Sequence, residues 1–440
     1  GSCKGVGGGE LGGLDLSGTT HTDAGDYPND PWSFAQTTNY NAASGTVHDH
    51  IDRADPDCSV TGYDVTYNAN PHTASGSCKG VGGGELGGLD LSGTTHTDAG
   101  DYPNDPWSFA QTTNYNAASG TVHDHIDRAD LDISAVTDSK PYDGNRDSSA
   151  TPSVSGLQGT DTVSGKQQKF QSKNVLGPNG STLEVTAYTV NDGNSGGNYD
   201  VHLHTATGTI SPKTLTVSFQ AQDKVWDGNA NATIKSSPAP SLVGVVSGDN
   251  VTLGTGTASA MFASSAVGTW TVTGSGFTKS GTDAGNYVFA SPQGTTTASI
   301  LAWSAQGRGF YPPVGVPNSI FTAAPGAAPL SNPGEAWNTA KGGSTVPLKF
   351  NVYAGTVEKT SLSDIKSFQQ SKLASCAGGA AEDPVEDTPT TGGTTLRYDG
   401  AGAQWIQNWA TPKVTSDTCY RAWVTFADGS SLEAFFKLRK

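Results

Sequence analysis

The chain has 440 residues, of which 34% are hydrophobic, 15% are charged and 57 are glycine, and it carries a formal net charge of −16. This balance argues against a nucleic-acid partner, which needs clustered Lys and Arg, and against one large helical core, since almost no window shows i, i+3, i+4 apolar spacing free of Gly or Pro. No apolar run approaches the about 18 residues of a membrane-crossing helix, so no membrane span is expected, and the composition suits many short strands joined by tight turns.

Residues 1–55 return unchanged as residues 76–130: Gly1 maps to Gly76, Cys3 to Cys78, Trp32 to Trp107 and Asp55 to Asp130. Self-similarity of this kind marks a repeat architecture built from small folds. The complete repeat is placed at 56–130. Asp57–Ser75 has no counterpart before Gly1, so 1–55 reads as a unit lacking its opening strands. A longer natural chain is expected, with an open sheet edge on this unit that can accept a strand from another molecule.

Within the repeat, Val60–Tyr67 alternates with period two and predicts a strand, followed by a turn at Asn68-Ala69-Asn70-Pro71. A Gly-rich stretch, Gly80–Gly88, precedes Leu89-Asp90-Leu91; further strands are expected around Trp107–Phe109 and over Ser119–Ile126. Cys58 and Cys78 bracket the first strands, and Cys376 and Cys419 lie near the C-terminus. Two disulfides are expected from these four, with Cys3, the copy of Cys78, left unpaired; buried free thiols are the alternative. Disulfides imply an oxidising, extracellular setting.

An Asp-Ala-Gly-x-Tyr string ends at Tyr27, Tyr102 and Tyr287, with a degraded form, Gly196-Gly197-Asn198-Tyr199. Each tyrosine reads as a structural corner, its ring packed inward and its hydroxyl returned to the main chain; a ligand-stacking ring is the weaker alternative. A second device recurs as Tyr67-Asn68-Ala69-Asn70, Tyr142-Asp143-Gly144-Asn145 and Trp226-Asp227-Gly228-Asn229, where Gly suits a bend with positive φ.

His-x-His occurs at His48/His50, His123/His125 and His202/His204. On a strand the two imidazoles share a face, which is workable metal-ligand geometry, although the sequence places no third ligand. Acidic pairs and trios, Asp55 with Asp57, Asp98/Asp101/Asp105, and Glu382-Asp383 with Glu386-Asp387, suggest hard cations such as structural calcium, without matching a known loop spacing. Trp32, Trp107, Trp303, Trp337, Trp405 and Trp409 are candidates for sugar stacking or, more ordinarily, for core packing. No Gly-x-Ser-x-Gly elbow and no phosphate loop stands out, so no catalytic residues and no cofactor are assigned.

Taken with their order, these motifs carry a resemblance. Residues 1–130 resemble tandem MBG domains of the YGX type. Residues 131–211 and 212–301 resemble YDG domains, with Tyr142-Asp143-Gly144 the name-giving motif and Trp226-Asp227-Gly228 a variant. Residues 302–440 resemble a PxKF domain, on Val346-Pro347-Leu348-Lys349-Phe350, Gln404–Trp409, Cys419-Tyr420-Arg421 and Leu432–Leu438. The resemblance implies a large secreted bacterial protein of the adhesin or surface-stalk kind, and it brings no catalytic residues.

The expected fold is therefore all-β: tandem small immunoglobulin-like sandwich modules, independently folded, in an elongated array that ends in a larger all-β C-terminal domain. The expected function is a non-enzymatic cell-surface stalk, adhesin or filament subunit whose partners are other copies of itself or cell-surface and extracellular-matrix components. The alternative is a glycan- or protein-binding module with recognition on loops or on the C-terminal domain.

Overall fold

The short alternating segments become strands throughout. The computed structural model describes residues 1–304, 309–314, 319–322, 337–376, 386–391 and 394–440. Apart from four single-turn 3-10 helices, every element among them is a strand, which makes the fold all-β. No helix among the described residues is long and apolar enough to cross a membrane. Glu382 and Asp383 lie outside the described residues. Two compact units are present: residues 1–140 with 145–211, and residues 141–144 with 212–440.

In unit 1, the complete repeat centres on the antiparallel pair Gly100–Phe109 and Ala118–Asp127, flanked by Leu89–Asp90 on one side and by the parallel strand Asp64–Thr66 on the other. A second sheet contains Asp57–Thr61, Ser75–Lys79 and Glu85–Leu86. The expected single strand Val60–Tyr67 is thus two strands in two sheets. Gly62 sits at the crossing, where a Cβ would lie 2.0 Å from the His123 carbonyl oxygen, and the buried Asp124 accepts the Tyr63 amide there. Conversely, Gly100–Phe109 is one strand despite Pro103 and Pro106. A register shift between Tyr102 and Asp105 takes up the irregularity, as bulges do. Cys58 and Cys78 face each other in adjacent strands and are disulfide-bonded, while Cys3 is free. Closing a loop of 20 residues contributes about 3 kcal/mol in the chain-entropy view.

The next module repeats the two-sheet plan. Ala129–Ser134 pairs in parallel with Tyr199–His204 and antiparallel with Ser153–Ser155; the second sheet runs Ala206–Ser211, Ser181–Asn191, Thr162–Phe170. In unit 2 the same pattern returns. Lys213–Ser218 pairs in parallel with Tyr287–Phe289 and antiparallel with Ser241–Val243, over a sheet containing Gly294–Leu301, Gly268–Ser275 and Ser259–Phe262. Leu131 and Ile133 in one module, and Leu215 and Val217 in the other, fill the space between sheets.

The C-terminal domain sets Thr345–Phe350, Gln404–Ala410 and Arg397–Asp399 against a larger sheet of Ser431–Arg439, Thr418–Phe426 and Ile365–Lys372. Val346, Leu348 and Phe350 alternate inward among Trp405, Trp409, Phe426 and Phe436. Trp405 and Trp409 are both 0% exposed, so they are core and not sugar platforms. A second disulfide joins Cys376 to Cys419.

The hydrophobic clusters do not stop at module ends. Tyr67 and Ile126 of the repeat share one cluster with Ala129, Leu131, Ile133 and Tyr199 of the module that follows. Trp226 packs on the cluster around Val272 and also on that of the C-terminal domain. Small modules bury too little apolar surface to be comfortable alone, and shared packing supplies the remainder.

Candidate functional site

Two arrangements concentrate the polar chemistry. The first is an exposed strand face. Alternation along Ala118–Asp127 sends Asp124 and Ile126 inward and His123, His125 and Asp127 outward. The register sets Asp101 opposite His125 on one side and Asp64 opposite it on the other. Asp101 Oδ1 lies 2.5 Å from His123 Nε2 and 3.3 Å from His125 Nδ1, and Asp127 Oδ1 lies 3.1 Å from His125 Nε2. The copy repeats this with Asp26, His48, His50 and Asp52. A related pattern arises in the next module, which is not a copy: His202 Nε2 lies 3.1 Å from Asp130 Oδ1, and His204 Nε2 lies 2.7 Å from Asp132 Oδ1.

Carboxylates on both ring nitrogens raise the basicity of this face. His125 is held above its ordinary value by Asp127 first and by Asp101 second, and His50 by Asp52 and then Asp26. The bond to His123 in turn holds Asp101 below the usual carboxylate range, with that to His125 next. A histidine whose folded pKa exceeds its unfolded one gives stability that is complete below the unfolded pKa, about 6.5, and lost as pH rises through the folded value. The His125 side chain is 36% exposed and that of Asp101 60%, so the effect is small and salt-screened. NMR titration of His125 is expected to give a pKa above 6.5, and Asp127→Asn to bring it down. A value that does not move in the variant contradicts the assignment.

The calcium candidates are engaged elsewhere. Asp55 Oδ1 accepts from Asn116 Nδ2 at 2.8 Å, and Asp57 pairs through its backbone with Lys79 beside the disulfide. Neither belongs to a cluster of three ligand side chains among the described residues. The expected trio Asp98/Asp101/Asp105 diverges. Asp98 accepts from Asn198, Asp101 faces the histidines, and Asp105 lies 2.7 Å from His96. Glu386 and Asp387 form a short strand beside Gln370 and Gln369.

The second arrangement is a series of aromatic joints. Tyr67 and Tyr199 meet edge to face at 5.4 Å, and both hydroxyls donate to Asp161 Oδ2, at 2.9 and 2.7 Å. The Gln158 amide donates to the Tyr199 hydroxyl. Unit 2 reproduces this. Tyr142 and Tyr287 stand at 5.4 Å, both donate to Asp249 Oδ2, and the Val246 amide donates to Tyr287. Where Trp226 replaces the tyrosine, it meets Trp303 edge to face at 5.3 Å, and Trp303 Nε1 donates to the Trp226 carbonyl.

The bend that presents each first aromatic is left-handed at the third residue: Gly144 at φ 84°, Gly228 at 83° and, against its preference, Ala69 at 64°. A second clasp lies in unit 1. Asn114 accepts from the Ala24 amide and donates to Asp23, and Asn198 does the same for Ala99 and Asp98.

The four corner tyrosines differ in detail. Tyr27 and Tyr102 return their hydroxyls to the carbonyls of Asp23 and Asp98 and stack on His21 and His96. Tyr199 and Tyr287 instead accept from a main-chain amide and donate to the joint aspartate. Both recurring aromatic devices are visible in the sequence, but not their docking on one another, nor the aspartate between them. A signal was present: in both modules the aspartate precedes its corner tyrosine by 38 residues, and the donating amide precedes it by 41.

A family model for the YDG domain matches residues 127–208 and 211–297, so two tandem YDG domains lie in this chain. No curated protein matches it.

Proposed function

With two tandem YDG domains as the premise, we propose that this chain is part of an extracellular structural repeat protein, a cell-surface stalk, adhesin or filament subunit, and that it is not an enzyme. On this reading residues 1–130 are MBG-like repeats and 302–440 a PxKF-like domain. The observation that carries it is the serial reuse of the buried aromatic joint, at Asp161 and again at Asp249. Such joints pack the aromatic devices of consecutive modules against each other. Two disulfides fit an oxidising compartment.

Solution scattering of the full chain tests the reading. A single globule of this length has a radius of gyration of about 22 Å; reach predicts a value well above that, and a value near it overturns the proposal.

One observation favours the adhesive alternative. Trp32 and Trp107 are half-buried and lie flat on Gly45 and Gly120, where an added Cβ would come within 2.9 Å and 2.8 Å of the indole. A cleft of about 470 Å³ beside Trp107 is lined by Asp90, Ser92, Ser119 and Thr121, groups suited to sugar hydroxyls. Glycan-array binding by the full chain that is lost in the Trp32→Ala/Trp107→Ala variant would place recognition there; binding that survives would remove this reading.

A further inference from the structure

We propose that Asp101, His123 and His125 form a zinc site, and that their sequence copies Asp26, His48 and His50, joined by the corresponding hydrogen bonds, form a second. One carboxylate oxygen and two imidazole nitrogens are a borderline-soft donor set that suits Zn²⁺ and not the all-oxygen preference of calcium. The three ligand atoms lie within 4.8 Å of one another. Ligands around a tetrahedral Zn²⁺ are about 3.3 Å apart, given bonds near 2.0–2.1 Å. Asp101 Oδ1 and His125 Nδ1 already stand at 3.3 Å. His123 Nε2, at 2.5 Å from the same oxygen, needs to swing out by less than ~1 Å.

The supporting groups match a metal-binding histidine. With Nδ1 on the ion, His125 turns Nε2–H to Asp127 at 3.1 Å, the carboxylate that fixes tautomer and ring orientation in many zinc centres. Asp64, on the neighbouring strand, forms a further group with His125 and Asp127 and adds negative potential at the same spot. The side chains of Asp101 and His123 are both 60% exposed, so an ion enters without rearranging the core and its fourth position is left to water. Asp130, Asp200 and His202 make a related cluster in the next module. With one imidazole it is the weaker of the three. The zinc site does not depend on the stalk, adhesin or filament role.

Calorimetric titration of the full chain with Zn²⁺ near neutral pH, with Cys3→Ser to remove the free thiol, is expected to show about two tight ions. His123→Ala is expected to remove one, and His48→Ala with His123→Ala to remove both. Asp127→Asn, which keeps every direct ligand, is expected to weaken one site by about tenfold. Ca²⁺ is expected to give no saturable heat at these positions. Absence of saturable Zn²⁺ binding, or a stoichiometry unchanged in the double histidine variant, overturns the proposal. Circular dichroism of the variants, whose histidine and aspartate positions are exposed or half-buried, checks that they remain folded.

Discussion

Asp161→Ala is expected to loosen unit 1 by about 3 kcal/mol, because one carboxylate receives two phenol donors and bonds to a charged acceptor are worth roughly 1.5–3 kcal/mol each. Tyr67 and Tyr199 are 4% and 3% exposed, so neither hydroxyl finds bulk water as a ready substitute. Tyr199 keeps the Gln158 amide but loses its acceptor. Native-state hydrogen exchange of the amides in Ala129–Ser134 and Tyr199–His204 should accelerate by roughly two orders of magnitude. Unchanged protection there would mean that the joint carries no stability. Asp249→Ala makes the same test in unit 2. Asp161→Asn, which preserves an acceptor oxygen, should cost less.

The joint also has a predictable alkaline limit. Burial, and then the bond to Asp161, pushes the Tyr67 phenol up to about 12, and burial followed by the bond to Asp249 does the same for Tyr287. Both folded values lie above the unfolded one, about 10. The protonated donors thus contribute fully below pH 10, and their contribution fades as pH climbs towards 12.

Trp409→Ala is expected to destabilise the C-terminal domain by about 4 kcal/mol. The side chain is 0% exposed, meets Phe436 edge to face at 4.8 Å, and donates from Nε1 to Gln370 Oε1 at 2.7 Å. Truncation leaves a cavity and strands the carbonyl of a glutamine that is itself buried. Calorimetry should show one transition moving down strongly. Trp409→Phe, which refills most of the volume, should move it less. A variant of unaltered stability that loses only glycan binding would restore the sugar-stacking role that burial argues against.

Much of this molecule was legible one segment at a time. The exact copy of 1–55 at 76–130, the cysteine pairs and the left-handed bend at Gly144 and Gly228 are all local or pairwise patterns. Period and residue type decide them, since a strand face repeats every second residue and a bend with positive φ favours Gly. The outward face of His123 and His125 followed from the same period.

The misreadings share a cause. Val60–Tyr67 alternates correctly, yet it splits at Gly62, where the chain runs so close to the His123 carbonyl that an added Cβ would lie 2.0 Å from its oxygen; alternation does not say which sheet a residue joins. The strand expected around Trp107–Phe109 starts earlier, at Gly100, and a bulge between Tyr102 and Asp105 accommodates Pro103. The acidic trio Asp98, Asp101 and Asp105 looked like one site and proved to be three, because Asp98 precedes the strand and the bulge between Tyr102 and Asp105 turns Asp105 inward while Asp101, four residues earlier, stays exposed.

By itself, the sequence determined that this is a repeated, all-β chain with recurring tyrosine motifs, since those properties are fixed by composition, period and copy number. Only the tertiary structure decided that Asp161 and Asp249 join two aromatic devices and that Asp101 completes the pair of histidines. Partners 94 and 107 residues apart along the chain, as Tyr67 is from Asp161 and Tyr142 from Asp249, meet through sheet register and module packing, and no local pattern encodes that distance.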